Sequence, residues 1–123
     1  MKVGVFGSKD WTSYPDIIRT LTLFIQETHD LGHDNIVFVH PGGGGAEQML
    51  SEYIGKTEKF LREKKFKIKE EIMKRNAQVV KDLGVMESVI EYALVFSTGD
   101  KRTASCQRLL KEYNIPFKLI ESA

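Results

Sequence analysis

The chain has 123 residues, a length that suits one domain, and 41% of them are hydrophobic, which is enough for one core. A formal net charge of +1 gives no electrostatic reason to expect nucleic acid or acidic partners. The single cysteine, Cys106, excludes an internal disulfide and fits a reducing cytosol, and no apolar run reaches membrane-spanning length. We therefore expect a cytoplasmic domain with no membrane partner.

The first predicted strand lies at the start of the chain. Residues 2–6 are apolar and β-branched, as in a buried parallel strand, and a small polar loop follows at residues 7–13. A helix is predicted over residues 15–31, because proline is tolerated in a first turn and a glycine follows the last residue. Residues 35–39 are predicted to form the second strand.

Four consecutive glycines, Gly42 to Gly45, follow this second strand and lead into a helix that is predicted to begin at Gly44 or Gly45 and to end near Lys64. Glycine lets a ligand approach the main chain closely, and the start of a helix offers unpaired N–H groups and the positive end of its dipole. This junction predicts a site for phosphate or another anion. Because no Lys-Ser/Thr pair follows the glycines, the P-loop of ATP and GTP hydrolases is not expected.

The second half of the chain repeats the strand–helix alternation. A short third strand is predicted at residues 66–68 and a helix at residues 70–83. The apolar strand 92–96 then leads into a polar loop at residues 97–103, which runs into a helix that ends near Tyr113. A last strand is predicted at residues 117–120.

This alternation predicts one α/β domain over residues 1–123, Rossmann-like, with a mainly parallel sheet of about five strands and helices on both faces. In such sheets, ligands bind outside the carboxyl ends of the strands, where the strand order reverses. The loops after the first, second and fourth strands are polar or rich in glycine, so we expect them to build one composite site.

The motifs in these loops resemble those of the YspA-like proteins of the SLOG superfamily, which also includes LOG-type enzymes and DprA-like proteins. Residues 7–11 resemble the family's GSRDW, and residues 39–47 resemble its VHGGARGAD and the PGGxGTxxE of LOG-type enzymes. Arg75-Asn76 resembles an RN pair, and residues 96–104 resemble a diverged FPGGRGTA. The chain departs from the pattern at Glu47, where the YspA-like proteins have aspartate.

The resemblance implies a Rossmann-like sheet that binds a nucleotide-derived small molecule, such as an NAD-derived or cyclic nucleotide signal. In this interpretation, glycine N–H groups hold phosphate, an indole stacks on a base, and four cations neutralise charge. No cofactor and no metal are expected. The predicted ligand-binding residues are Gly7, Ser8, Lys9, Trp11, Gly42, Gly43, Gly44, Gly45, Glu47, Arg75, Asn76, Thr98, Gly99, Lys101, Arg102 and Thr103.

Three functions remain open from the sequence. The first is capture of the ligand without chemistry, in a homo-oligomer whose sites form between subunits. The second is cleavage of the N-glycosidic bond of a nucleoside monophosphate, as in LOG-type enzymes, with Glu47 and Arg75 as catalytic residues. Glu47 is equally interpreted as a helix-capping acid. The third, binding of single-stranded nucleic acid, needs a basic groove with several aromatics and ranks last.

Overall fold

A parallel β-sheet forms the centre of the molecule. The computed structural model describes residues 1–72 and 90–122. The five strands of the sheet are β1 (Lys2–Gly7), β2 (Asn35–His40), β3 (Lys67–Ile72), β4 (Tyr92–Ser97) and β5 (Phe117–Glu121). They lie in the order β3-β2-β1-β4-β5, and every neighbouring pair is parallel. The predicted α/β class and five-stranded parallel sheet are therefore confirmed.

Three helices are described, and they cover both faces of the sheet. They are α1 (Tyr14–Asp30), α2 (Ala46–Glu63) and α3 (Lys101–Glu112). Because side chains alternate along a strand, β1 contributes Val3 and Val5 to a core shared with α1 and α2. Its Phe6 points the other way, into a second core with Cys106 and Leu110 of α3.

The third strand is longer than the sequence predicts, and the helix predicted over residues 70–83 is wrong at its start. Residues 70–72 continue β3, with Glu70 paired to Phe38 and Ile72 to His40 of β2. Hydrogen bonding along a parallel neighbour here outweighs the helical spacing of apolar residues. Ile72 is accordingly 54% exposed instead of lying in a buried helical stripe. The remainder of that predicted helix lies outside the described residues.

The strand order places a topological switch point beside β1. The chain passes from β1 to β2 on one side, whereas β4 lies on the other side of β1. Gly7 at the end of β1 pairs with Phe96 near the end of β4, and His40 at the end of β2 pairs with Ile72. The loops that follow these strands therefore emerge at one edge of the sheet, where parallel α/β folds bind ligands.

Candidate ligand site

The acidic side chain in the first turn of α2 is buried at this edge of the sheet. Glu47 is 0% exposed. Its Oε2 accepts a hydrogen bond of 3.2 Å from the backbone N–H of Gly7, and its Oε1 accepts one of 2.7 Å from the N–H of Gly43. A single carboxylate thus ties the end of β1 to the glycine loop that precedes α2.

A guanidinium from the first turn of α3 lies against the same carboxylate. Arg102 Nη2 is 3.2 Å from Oε1 and 3.1 Å from Oε2 of Glu47. Each carboxylate oxygen therefore accepts one backbone N–H bond and one bond from arginine. A buried charge is tolerated when a partner charge and hydrogen bonds satisfy it in this way. The geometry indicates that Glu47 positions the backbone of the site.

The glycines of the site differ in what they do. A Cβ on Gly45 would lie 2.4 Å from the carbonyl oxygen of Ser8, and one on Gly7 would lie 2.4 Å from the Cβ of Ala46. These two glycines allow the end of β1 to pack against the start of α2. Gly45, with φ 64°, also adopts a left-handed conformation that side chains disfavour. A Cβ on Gly44 would meet no atom within 4 Å, so this glycine faces open space.

The loops after β1 and β4 are hydrogen-bonded to each other across the switch point. Ser8 Oγ donates to Asp100 Oδ1 at 2.6 Å and accepts from the N–H of Thr98 at 3.0 Å. Thr98 Oγ1 donates to Asp10 Oδ1 at 2.8 Å. Thr103, fully buried, also donates to the Asp100 carboxylate. The crevice between β1 and β4 is therefore bridged by side chains in this structure.

Two titratable groups near these loops are shifted by their surroundings. Burial raises the pKa of Asp100, but hydrogen bonds from Ser8 and Thr103 favour the carboxylate and leave the pKa lowered overall. Burial raises the pKa of the Cys106 thiol to about 11, with Arg102 acting in the opposite direction. Cys106 is therefore a neutral core residue, consistent with its packing against the sheet.

An open cleft lies on the other side of β1, above the ends of β2 and β3. Its volume is about 330 Å³. The glycine loop forms one wall of this cleft, and the first turns of α2 and the end of β3 form the others. The lining residues are His40, Gly42, Gly43, Gly44, Gln48, Ser51 and Ile72.

The start of α2 lies beside this cleft, and Gln48 in its first turn is one of the lining residues. The first N–H groups of any helix lack acceptors within the helix. Here Ala46 N–H donates to the Ser8 carbonyl at 3.4 Å and Met49 N–H to the Gly45 carbonyl at 3.1 Å. The N–H groups of Glu47 and Gln48 have no acceptor in the described part of the chain. The positive end of the helix dipole adds to their affinity for an anion.

His40 belongs to the site, although it is not among the ligand-binding residues predicted from the sequence. It is 1% exposed, and its Nδ1 accepts a hydrogen bond of 3.0 Å from the N–H of Gly42. Its Nε2 lies 3.5 Å from Glu70 Oε2. The signal in the sequence is a histidine at the last position of a buried strand, directly before the glycine loop.

The structure separates the predicted site residues into groups. Glu47, Arg102 and the glycine loop lie together, and Gly7 joins them through its N–H. Ser8, Thr98, Gly99 and Thr103 form the bridged loops at the switch point, where Gly99 N–H donates to Ser97 Oγ at 2.9 Å. Lys9 and Lys101 are exposed beside these loops without an ion pair among the described residues. Arg75 and Asn76 lie outside the described residues.

Trp11 occupies the core in this structure. Its side chain is 2% exposed, and its ring meets that of Phe96 edge-on at 5.5 Å between centroids. The indole N–H donates to the carbonyl oxygen of Ser13 at 2.9 Å. The ring is therefore already packed and hydrogen-bonded, and stacking on a base would require it to leave this position.

Residues 1–72 and 90–122 contain neither a metal-binding cluster nor a membrane-spanning helix. In those residues, no group of three or more His, Cys, Asp or Glu side chains is arranged to hold a metal ion. Within the same ranges, none of the helices has both the length and the apolar character needed to cross a bilayer. Comparison with family models, curated proteins and solved structures found no match to this chain.

Replacing Glu47 by glutamine tests its positioning role. We expect the free energy of unfolding to fall by about 2 kcal/mol or more, because the amide cannot accept all four hydrogen bonds and leaves Arg102 without its partner charge. Chemical denaturation of both proteins measures the loss. Glu58→Gln is the control, because the Glu58–Arg62 pair is exposed and contributes less than about 1 kcal/mol. A Glu47→Gln protein as stable as the wild type would contradict the positioning role.

Asp100 predicts a specific pH dependence of stability. Because its pKa is lowered in the folded state, ionised Asp100 adds stability that is complete above the unfolded value of about 4 and is lost as the pH falls through the folded value. Asp100→Asn keeps the size of the side chain but has no charge to lose. We expect the stability difference between wild type and variant to shrink below about pH 4. Denaturant unfolding across this range measures it, and a difference independent of pH would contradict the prediction.

Proposed function

We propose that this protein binds a nucleotide-derived small molecule and that an anionic group of the ligand is held at the glycine loop. The observation that carries the proposal is the buried Glu47 carboxylate, which fixes the loop to β1 and to Arg102. Gly42 and Gly43 donate their N–H groups within the protein, and the N–H of Gly44, which lines the cleft, has no acceptor in the described part of the chain. Preorganised donors bind an anion more tightly than flexible ones, because less ordering accompanies binding.

The charges around the loop favour an anion. Arg102 lies beside Gly43, since a Cβ on this glycine would be 3.0 Å from Nη1. The positive end of the α2 dipole lies at the end of the same loop, and the N–H of Gln48, a residue that lines the cleft, has no acceptor in the described part of the chain. Phosphate is an anion that such donors bind well, because its oxygens accept several hydrogen bonds at once.

The nucleotide class rests on the resemblance to the SLOG superfamily, which remains a proposal. The cleft volume of about 330 Å³ lies at the lower end of the range for small-molecule pockets. It suits a phosphate group together with the sugar attached to it. The base would extend beyond the cleft, since no aromatic residue is among the described residues that line it.

We favour capture of the ligand over cleavage of its glycosidic bond. The predicted catalytic carboxylate, Glu47, is fully buried, and both its oxygens are already occupied by N–H donors. A general base or nucleophile needs an oxygen within reach of the reacting centre. Glu47 would have to exchange these partners for a substrate before it could act.

The glycine loop can be tested at Gly44 without disturbing its supports. Gly44→Val places two methyl groups in open space at the wall of the cleft, so we expect anion affinity to fall at least about tenfold while stability stays near wild type. Titration calorimetry with AMP, ADP-ribose, NAD and a cyclic dinucleotide measures the affinity. Gly55→Val is the matched control, because Gly55 also faces open space but lies in α2, outside the residues that line the cleft.

The possible results test two points independently: whether the glycine loop is the binding site, and whether the ligand is nucleotide-derived. Equal affinity of the wild-type and Gly44→Val proteins would remove the glycine loop from the site. Absence of binding to all four compounds would overturn the nucleotide class. Gly43→Val is a less informative variant, since its Cβ would lie 2.7 Å from Glu47 Oε1 and would disturb the support of the loop.

Self-association and a cytoplasmic location stay predictions. Exposed apolar side chains such as Leu23 on α1 and Leu31 directly after it are compatible with an interface between copies. Sedimentation equilibrium at several concentrations would measure the mass in solution, and we expect at least a dimer. The mass of a single chain at every concentration would contradict the expected homo-oligomer.

A further inference from the structure

His40 supports the glycine loop through a hydrogen bond that only its neutral form can accept. The N–H of Gly42 donates to Nδ1 at 3.0 Å, so Nδ1 carries no proton in this arrangement. The proton of the neutral imidazole is then on Nε2. Gly42 has φ 80°, a left-handed conformation, and the bond to His40 forms at this turn.

The other ring nitrogen faces a carboxylate without a formed hydrogen bond. Nε2 is buried and has no hydrogen-bond partner in the described part of the chain. Glu70 Oε2, on the neighbouring strand β3, is 3.5 Å away, and its side chain is 24% exposed. A small movement of either side chain would bring the two atoms within bonding distance. Nε2 carries a proton in both forms of His40, and Glu70 lies where its carboxylate can stabilise the added charge of the imidazolium form.

We propose that His40 is a pH-sensitive positioning residue for the glycine loop. In the neutral form it accepts the Gly42 N–H and holds the loop in its anion-binding conformation. Protonation turns Nδ1 into a donor that faces the Gly42 donor, while Glu70 beside Nε2 stabilises the charged ring. The loop is then released from His40, and the affinity of the site for an anion falls as the pH falls. The effect on affinity rests on the proposed function, whereas the effect on the loop does not.

The charged groups around the ring agree with this mechanism. Among the described residues, Glu70 makes the one ion pair of the imidazole from β3. On α2, the carboxylate of Glu47 is directed to Gly7, Gly43 and Arg102. The other residues of the cleft wall on α2, Gln48 and Ser51, are uncharged. Histidine is the side chain type that most readily changes charge between about pH 5 and 8.

The loop mechanism can be tested without a ligand by nuclear magnetic resonance. A two-bond ¹⁵N–¹H correlation spectrum identifies the protonated nitrogen of each of the 3 histidines. We expect His40 to carry its proton on Nε2 at neutral pH and the Gly42 amide resonance to shift in step with protonation of that ring. A proton on Nδ1, or a Gly42 resonance that does not follow His40, would overturn the proposal. His33, which is exposed, provides the internal comparison.

Two variants distinguish the role of His40 as a hydrogen-bond acceptor from the effect of its change of charge. His40→Asn places an amide oxygen near the position of Nδ1, so it keeps the acceptor but cannot titrate. His40→Leu has a side chain of similar bulk but lacks the acceptor nitrogen. We expect His40→Asn to bind ADP-ribose with near wild-type affinity at every pH, and His40→Leu to bind at least about tenfold more weakly at neutral pH.

ADP-ribose is the chosen probe because its pyrophosphate does not change charge in this pH range. We expect the affinity of the wild type to fall at least about threefold from about pH 7.5 to about pH 5.5. If the affinity of the His40→Asn protein for ADP-ribose still falls with the pH, the proposal is overturned. Wild-type affinity that rises in acid would also overturn it, because the imidazolium would then bind the anion directly. Wild-type protein that binds none of the nucleotides would overturn the proposed function, and the ligand-free spectra would still decide the role of His40.

Discussion

The hydrogen bonds of the buried Glu47 carboxylate are the interactions on which the carboxyl edge of the sheet depends. The carboxylate connects the last residue of β1, the glycine loop and the first turn of α3, which are far apart in the sequence. A charge in this position is stable only when all its partners are present. The four hydrogen bonds that three donor groups make to one carboxylate therefore fix the relative positions of three segments. This constraint explains why a loop of four glycines, which would otherwise be flexible, has a defined conformation.

Within this arrangement, the individual glycines have different structural roles. Gly45 and Gly7 are required where backbone and helix approach each other too closely for a side chain. Gly42 adopts a left-handed conformation beside His40, and Gly44 leaves the cleft open. A run of identical residues therefore contains at least three physical roles. Only the neighbours in space distinguish these roles, since the residues themselves carry no side chain that would reveal them.

The sequence predicts the fold well because its signals are local. Apolar β-branched runs separated by helical patterns identify the parallel strands, and parallel strands bring their carboxyl ends to one edge. The error at residues 70–72 arises because pairing with β2 is a long-range contact that local spacing does not report. Trp11 illustrates a similar limit. An aromatic residue in a polar loop is compatible with base stacking, but only the fold shows that its ring packs against Phe96.

The site itself is predictable in outline and not in its chemistry. A glycine loop before a helix indicates an anion, and Glu47 and Arg102 were both among the predicted residues. Their pairing is not predictable, since 55 residues separate them in the chain. Glu47 offered two interpretations, a catalytic acid or a support of the helix start, and the sequence contains nothing that chooses between them. The number of donors around its oxygens favours a supporting role.

The loops on the β4 side and on the β2 side of the carboxyl edge of the sheet are connected by hydrogen bonds. On the β4 side, Ser8, Thr98 and Asp100 join the loops across the switch point, and hydrogen bonds of this kind contribute only about 0.5–1.5 kcal/mol each. On the β2 side, the cleft is already open. Under the proposed function, a ligand would anchor its anion in the cleft first and would reach the switch point only by displacing those weaker bonds. Because Asp100 and Arg102 both lie at the start of α3, displacing the first would also disturb the second and its bond to Glu47. Occupation of the switch point would then change the position of the glycine loop, because the Glu47 carboxylate connects the two without contacting the ligand itself.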